Sequence, residues 1–255
     1  MKAGFVWYEL MTGGDVHAAA KFYADVVGWD VKDAQMPGIT YLIVGKDGKD
    51  VAGMMSWQSM GMDNPTVWKG HIGTADVDAE VDAVTGDGGT VNRAPQDIPG
   101  VGRFASVNDP QGVEYLLFQP GTQYAPPRLA PNEVGNVGWH ELLTSDWESA
   151  WEFYAKHYGW EKDYAHDMGP AGIYQTFRID TGTYTGAMMN LPADGSYGPP
   201  RWQFYFQVPD VAAAVPKIEA GGGKVTMGPH VVPGGSTIVV ATDPQGGVFA
   251  LVSGK

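Results

Sequence analysis

The sequence predicts an α+β fold assembled from one supersecondary unit, strand–helix–three strands (βαβββ), used four times along the chain. Three observations support it. An ordered internal repeat runs through the chain, at an offset of 132 residues at its start and 134 at its end. Apolar residues alternate over short, aromatic-rich segments bounded by glycine, which is the period of a half-buried strand. Between them lie short stretches with helical spacing, each stopped by glycine.

The repeat is legible residue by residue. Trp7-Tyr8-Glu9-Leu10 returns as Trp139-His140-Glu141-Leu142, and each copy then meets an aspartate, Asp15 or Asp146. Phe22-Tyr23 and Gly28-Trp29 return as Phe153-Tyr154 and Gly159-Trp160. Met54-Met55 returns as Met188-Met189, and Trp68 as Trp202. Near the end of each copy is the same tetrapeptide, Asp109-Pro110-Gln111-Gly112 and Asp243-Pro244-Gln245-Gly246. Between the copies, residues 121–134 are rich in proline and lack periodicity, so they read as a linker. The domains are therefore expected at 1–120 and 135–255.

Within the first copy, Phe5–Met11 alternates and reads as a strand. The Asp15 carboxylate can accept the orphan amide hydrogen bonds of a first helical turn. Val16, Ala19, Phe22, Tyr23 and Val26 follow at helical spacing, and Gly28 ends the helix. Ile39–Val44 and Val51–Trp57 read as strands about the turn Lys46-Asp47-Gly48. Thr66–Thr74 is the next strand and Asp78–Val84 the next helix. Thr90-Val91, Arg103–Val107 and Val113–Phe118 complete the copy.

Composition narrows the function classes. The chain has 255 residues, 44% hydrophobic and 18% charged, which suits two packed modules. Its net charge of −13 opposes binding to nucleic acid or to an anionic membrane. With no cysteine, there is no thiolate metal site and no thiol catalysis. No segment reaches the roughly 18 apolar residues of a bilayer span, and the N-terminus lacks a leader pattern, so a cytoplasmic location is expected.

The strand, capping aspartate, Phe-Tyr helix and Gly-Trp pair, followed by a second unit ending in Asp-Pro-Gln-Gly, resemble the vicinal oxygen chelate superfamily. Its members include glyoxalase, bleomycin-resistance and extradiol dioxygenase proteins. The resemblance covers nearly the whole chain and implies two tandem modules, each of paired βαβββ units whose sheets curl around a cavity. It leaves open whether units pair within a copy or exchange between copies.

The resemblance also implies one divalent metal, held by His, Glu or Gln from the first, fourth, fifth and eighth strands of a module. Carried over residue by residue, the first-strand position falls on Trp139 and on Trp7 (Tyr8 if Gly14 is not an insertion). The fifth-strand position is Lys69 and Gln203, and the eighth-strand position is Leu116 and Ala250. Methionines occupy the fourth strands. No metal is therefore expected at the usual positions, and no other cofactor. A displaced divalent site remains one alternative: Glu9, His71 and Glu114 are each shifted by two residues from those positions.

Other residues each have a functional and a structural reading. Trp7 and Trp139 form either the stacking floor of a pocket or plain core. Glu9 and Glu141, two residues on, share that face and serve as polar anchor, general base or structural hydrogen-bond acceptor. His71 shares parity with Lys69 and is replaced by Tyr205 in the second copy. Met54 and Met188 suit an adaptable apolar wall. His157, on a helix, reads as solvated, and His140 has the wrong parity for a ligand. Three functions fit: a small-molecule binding protein for aromatic or amphipathic ligands; an enzyme (lyase, isomerase or dioxygenase-like) using the displaced metal or Glu9 as base; or a degenerate interaction module. A monomer or weak homodimer is expected, because one chain already supplies four units.

Overall fold

The computed structural model describes residues 3–122, 128–130, 132–179 and 185–254. Part of the expected linker, 123–127 and 131, lies outside the described residues.

The first copy contains β1 (Phe5–Thr12), α1 (Val16–Val27), β2 (Asp30–Asp33), β3 (Leu42–Lys46) and β4 (Lys49–Ser56). It continues with β5 (Val67–Gly73), α2 (Val77–Gly86), β6 (Thr90–Ile98), β7 (Gly102–Asn108) and β8 (Glu114–Pro120). The second copy repeats the order: β9 (Val137–Thr144), α3 (Trp147–Tyr158), β10 (Glu161–Asp167), β11 (Ile173–Arg178) and β12 (Thr185–Asn190). Then follow β13 (Arg201–Gln207), α4 (Val211–Ala220), β14 (Lys224–Val231), β15 (Thr237–Thr242) and β16 (Val248–Ser253). This is βαβββ four times.

The helix signals act as expected. Asp15 accepts a hydrogen bond from the His17 amide at 2.8 Å, and Asp146 accepts one from Ser149 at 3.1 Å. Gly28 and Gly159 end α1 and α3 at φ of 86° and 67°, a left-handed conformation that glycine adopts without a Cβ clash.

The described residues form two eight-stranded mixed sheets, ordered β2-β3-β4-β1-β5-β8-β7-β6 and β10-β11-β12-β9-β13-β16-β15-β14. Strands therefore join within each copy. β1 runs parallel to β4, aligning Leu10 with Met54 and Met11 with Met55. Aligned residues of a parallel pair share a face, so Met54 lies with Leu10, both fully buried, and Met55 lies with Met11. The second copy repeats this, with Leu142 beside Met188 and Leu143 beside Met189. Met54 and Met188, expected to wall a pocket, are thus fully buried, and Met55 and Met189 occupy the opposite face.

Two strands were not spelled out by the sequence. β2, Asp-Val-Lys-Asp, is exposed along its whole length, and β10 is nearly so. A strand on the sheet edge with neither face buried has no hydrophobic alternation to read. Trp57 lies in a single 3₁₀ turn, Trp57–Met60, and not in β4.

The chain divides into two compact units that do not follow the repeat. One comprises Met1–Val6, Lys69–Ala125 and His140–Trp202; the other comprises Trp7–Trp68, Pro126–Trp139 and Gln203–Lys255. Each has its own aromatic core. In the second unit Tyr23, Trp29, Trp68, Phe206 and Phe249 pack edge to face at 4.9 to 6.4 Å between ring centroids. In the first unit Tyr154 stacks on Trp160 at 5.1 Å and meets Trp202 edge-on at 5.3 Å.

Candidate functional site

β5, β7 and β8 carry the most polar buried face of the first copy. The register aligns His71 with Leu116 across β5 and β8, and Ser106 with Leu116 across β7 and β8. It likewise pairs Asn108 with Glu114 and Phe104 with Phe118. Alternation puts Lys69, His71, Ser106, Glu114 and Phe104 on one side of the sheet. Arg93, aligned with Ser106 from β6, joins them.

These residues are connected. Lys69 Nζ lies 2.5 Å from Glu114 Oε1, and Ser106 Oγ donates to that same oxygen at 2.5 Å. The Lys69 side chain is 8% exposed and that of Glu114 33%. The Arg93 guanidinium sits 5.1 Å from the centre of the Phe104 ring, with its Nε donating to Gln96 at 2.9 Å. His71 is buried, and its ring meets Phe118 edge-on at 6.2 Å.

The second copy supplies an internal control. At an offset of 134, Lys69 becomes Gln203, His71 becomes Tyr205, Arg93 becomes Met227, Ser106 becomes Val240 and Glu114 becomes Val248. Tyr205, Val240, Ala250 and Val252 form a buried apolar cluster, with Trp139, Met227, Ile238 and Val248 packed against it. Gln203 Nε2 donates to the Tyr205 hydroxyl at 3.0 Å. The same strands therefore fold with an apolar face. The charges of the first copy are not required by the architecture, and burying that of Lys69 costs free energy that packing alone would not demand.

The first strand presents Trp7, Glu9 and Met11 on one side by alternation. Trp7 Nε1 donates to the Tyr41 hydroxyl at 3.1 Å. Gly53 is needed beneath it, since a Cβ there would overlap the Tyr41 hydroxyl. Met11, Met55 and Trp57 form a buried cluster with Ile39, Tyr41, Met60 and Val67 against it. Glu9 and Glu141 are buried at 9% and 8% exposure.

The donor set at the mapped positions does not fit a metal. Trp, Lys and Leu in one copy and Trp, Gln and Ala in the other offer one neutral oxygen donor, Gln203, and an ammonium. Glu114, a member of the displaced cluster, already has the Lys69 cation at 2.5 Å. Among the described residues, no group of three or more His, Asp or Glu side chains is placed to hold an ion.

Several repeated residues prove to be cross-copy ties, which the sequence reading missed. Trp202 Nε1 donates to the Tyr154 hydroxyl at 3.0 Å, and Tyr154 donates to Asp109 Oδ2 at 3.1 Å. Likewise Trp68 donates to Tyr23 at 2.8 Å, and Tyr23 to Asp243 at 2.9 Å. The Phe-Tyr helix of each copy thus binds the Asp-Pro-Gln-Gly turn of the other. Asp109 Oδ1 also accepts the amides of Gln111 and Val113, fixing the turn directly before Glu114. Burial pushes the Asp109 carboxyl up to about 6, against the lowering pull of those amides and of Tyr154. Asp243 is raised by the same cause.

His157 is corrected as well. Its side chain is 4% exposed, with Nδ1 2.9 Å from Glu80 and Nε2 2.9 Å from Asp87. Partners from α2 and the turn after it close over a helix position that reads as surface. His140 is buried and stacks on Phe5 at 4.7 Å.

Known proteins resemble this chain. The protein CFP32 of Mycobacterium bovis, which carries a provisional glyoxylase name, is 32% identical over 253 residues, spanning 96% of this chain and 93% of that protein. The anthracycline biosynthesis protein DauV of Streptomyces sp. strain C5 is 30% identical over 259 residues, spanning 96% and 91%. A Mn(II)-bound glyoxalase from Novosphingobium aromaticivorans superposes with a TM-score of 0.65 at 19% identity, over 99% of this chain and 81% of that one. The model of the Glyoxalase/Bleomycin resistance protein/Dioxygenase superfamily matches residues 5–116 and 136–251. With both copies matched over nearly their whole length, this chain belongs to that superfamily as a tandem, two-module member.

Proposed function

We propose that the chain binds an aromatic or amphipathic small molecule, and that the binding face lies in the first copy. The observation carrying this reading is the contrast between equivalent positions: Lys69, Arg93, Ser106 and Glu114 against Gln203, Met227, Val240 and Val248. One copy retains a costly buried charge at Lys69, beside a part-exposed Glu114 and an exposed Arg93, where the other fills the same face with largely apolar side chains. The name of DauV fits an aromatic ligand. Lys69 and Glu114 are thus assigned to the ligand, and Gln203, Tyr205 and Trp139 to packing.

A second reading is a metal-independent enzyme with Glu9 as general base, favoured by the burial of that carboxylate at 9% exposure on the face of Trp7. Titrating intrinsic tryptophan fluorescence with a panel of aromatic metabolites tests the first reading, with Trp7→Ala and Trp139→Ala compared. Loss of the signal in Trp7→Ala alone supports it. Silence across the panel sinks it. Stoichiometric metal in protein purified without a histidine tag would instead favour a metal enzyme. The chain is read as a cytoplasmic monomer or weak homodimer without nucleic-acid or membrane partners, and light scattering checks the oligomeric state.

A further inference from the structure

The bonds around Glu114 have a direction. Lys69 Nζ and Ser106 Oγ both engage Oε1, each at 2.5 Å. Both donors are buried, at 7% and 5% exposure, so they hold that oxygen from the protein side. Among the described residues, no hydrogen bond falls on Oε2. The Glu114 side chain is one-third exposed, and Phe104 on the same face is half-buried. A carboxylate anchored through one oxygen offers the other as a fixed acceptor, with its rotamer freedom already lost. The second copy has Val248 at this position, with no acceptor.

We infer that Glu114 is the specificity-determining acceptor of the first copy, and that its ligand is an aromatic molecule presenting a neutral hydroxyl donor, a phenol, to Oε2. This deepens the binding reading above and rests on it. A ligand carboxylate would meet Glu114 with like charge, and an ether would bring an acceptor to an acceptor. Of the three, a phenol satisfies Oε2 while its ring can lie along Phe104 and Leu116.

Calorimetric titration with 2-naphthol, 2-methoxynaphthalene and 2-naphthoate tests the assignment. Wild-type protein is expected to prefer 2-naphthol over each of the others by about tenfold or more, the size of one mismatched buried hydrogen bond. Glu114→Gln keeps an oxygen for Lys69 and Ser106 but turns an amide N–H₂ outward, from which the phenol oxygen and the ether oxygen can both accept, so it should abolish the preference for 2-naphthol over 2-methoxynaphthalene. The double variant Lys69→Gln/Glu114→Val copies the second copy's own residues, which fold on the same strands; it should bind both neutral probes alike. Equal affinity of the wild type for 2-naphthol and 2-methoxynaphthalene overturns the inference and leaves the binding reading intact. Tightest binding of 2-naphthoate also overturns it, in favour of Lys69 and Arg93 as anion anchors. If no naphthalene binds and the melting temperature does not move, both readings fall together.

Discussion

Tyr154, on α3 of the second copy, donates its hydroxyl proton to Asp109 of the first copy at 3.1 Å. Asp109 in turn holds the amides of Gln111 and Val113, so this one bond ties a helix to the turn that launches β8. Burial raises the Asp109 carboxyl to about 6 from 3.8. An acid with a raised native value binds its proton more tightly folded than unfolded. Its protonation therefore stabilises the fold most fully below about pH 4, and that contribution fades as pH rises through 6. Two pKa units correspond to on the order of 3 kcal/mol. Urea unfolding between pH 4 and 7 should show wild-type stability falling, relative to Asp109→Asn, as pH rises. Parallel curves would place the strain elsewhere.

His157 should contribute to stability despite its helix-surface spacing. Replacing it with Phe leaves Glu80 without its imidazole partner and Asp87 with only Lys156. The expected loss is about 1 to 3 kcal/mol in urea unfolding, the size of a broken, partly buried charged hydrogen bond. A loss under a few tenths would show that the bridge is solvated in solution.

The two methionines of β4 should differ in what they contribute to stability. Met54 is fully buried beside Leu10, so Met54→Ala should cost about 2 to 5 kcal/mol. Met55 lies with Met11 and Trp57 on the opposite face and is 9% exposed, so Met55→Ala should cost less. Melting curves of the two variants would reveal the reverse order at once.

Gly53 should tolerate no side chain without a change at Trp7. Gly53→Ala is expected to displace the Tyr41 hydroxyl and break its bond from Trp7 Nε1. A shift in tryptophan emission that is absent when the same change is made in a Trp7→Phe background would confirm the link. An unchanged spectrum in both would place Tyr41 elsewhere.

How legible was this in the sequence? Caps and stops such as Asp15, Gly28, Asp146 and Gly159 are local chemistry, and each lies where its spacing implies. Strands with one buried face were readable for the same reason. β2 and most of β10 were not, because neither side of them is buried. Parity gave the face of Trp7 and Lys69, but the choice within Met54-Met55 needed the register of β1 on β4. The spacing that put Glu114 two residues from the eighth-strand position also put it on the face of Lys69, though as a metal ligand. Ser106 was not foreseeable, since nothing in a strand serine announces which carboxylate it meets. The Tyr–Asp ties and His157 depend on residues 45 to 220 positions away, beyond any local pattern.

The exchange of Tyr23 and Tyr154 between copies bears on how such a duplication can age. Cut at the linker, residues 1–120 would keep Tyr23 and Asp109 but lose both of their partners, Asp243 and Tyr154. Each half would then carry a buried hydroxyl and a buried carboxylate in need of the other half. Separately produced halves should accordingly assemble with each other, or each with a second copy of itself, rather than persist as stable monomers. The ancestor of a single copy would have met the same requirement through self-association. Fusion would have freed one site to become apolar, as the face of Tyr205 and Val248 has, while forbidding independent drift at the tyrosines and aspartates that hold the pair together.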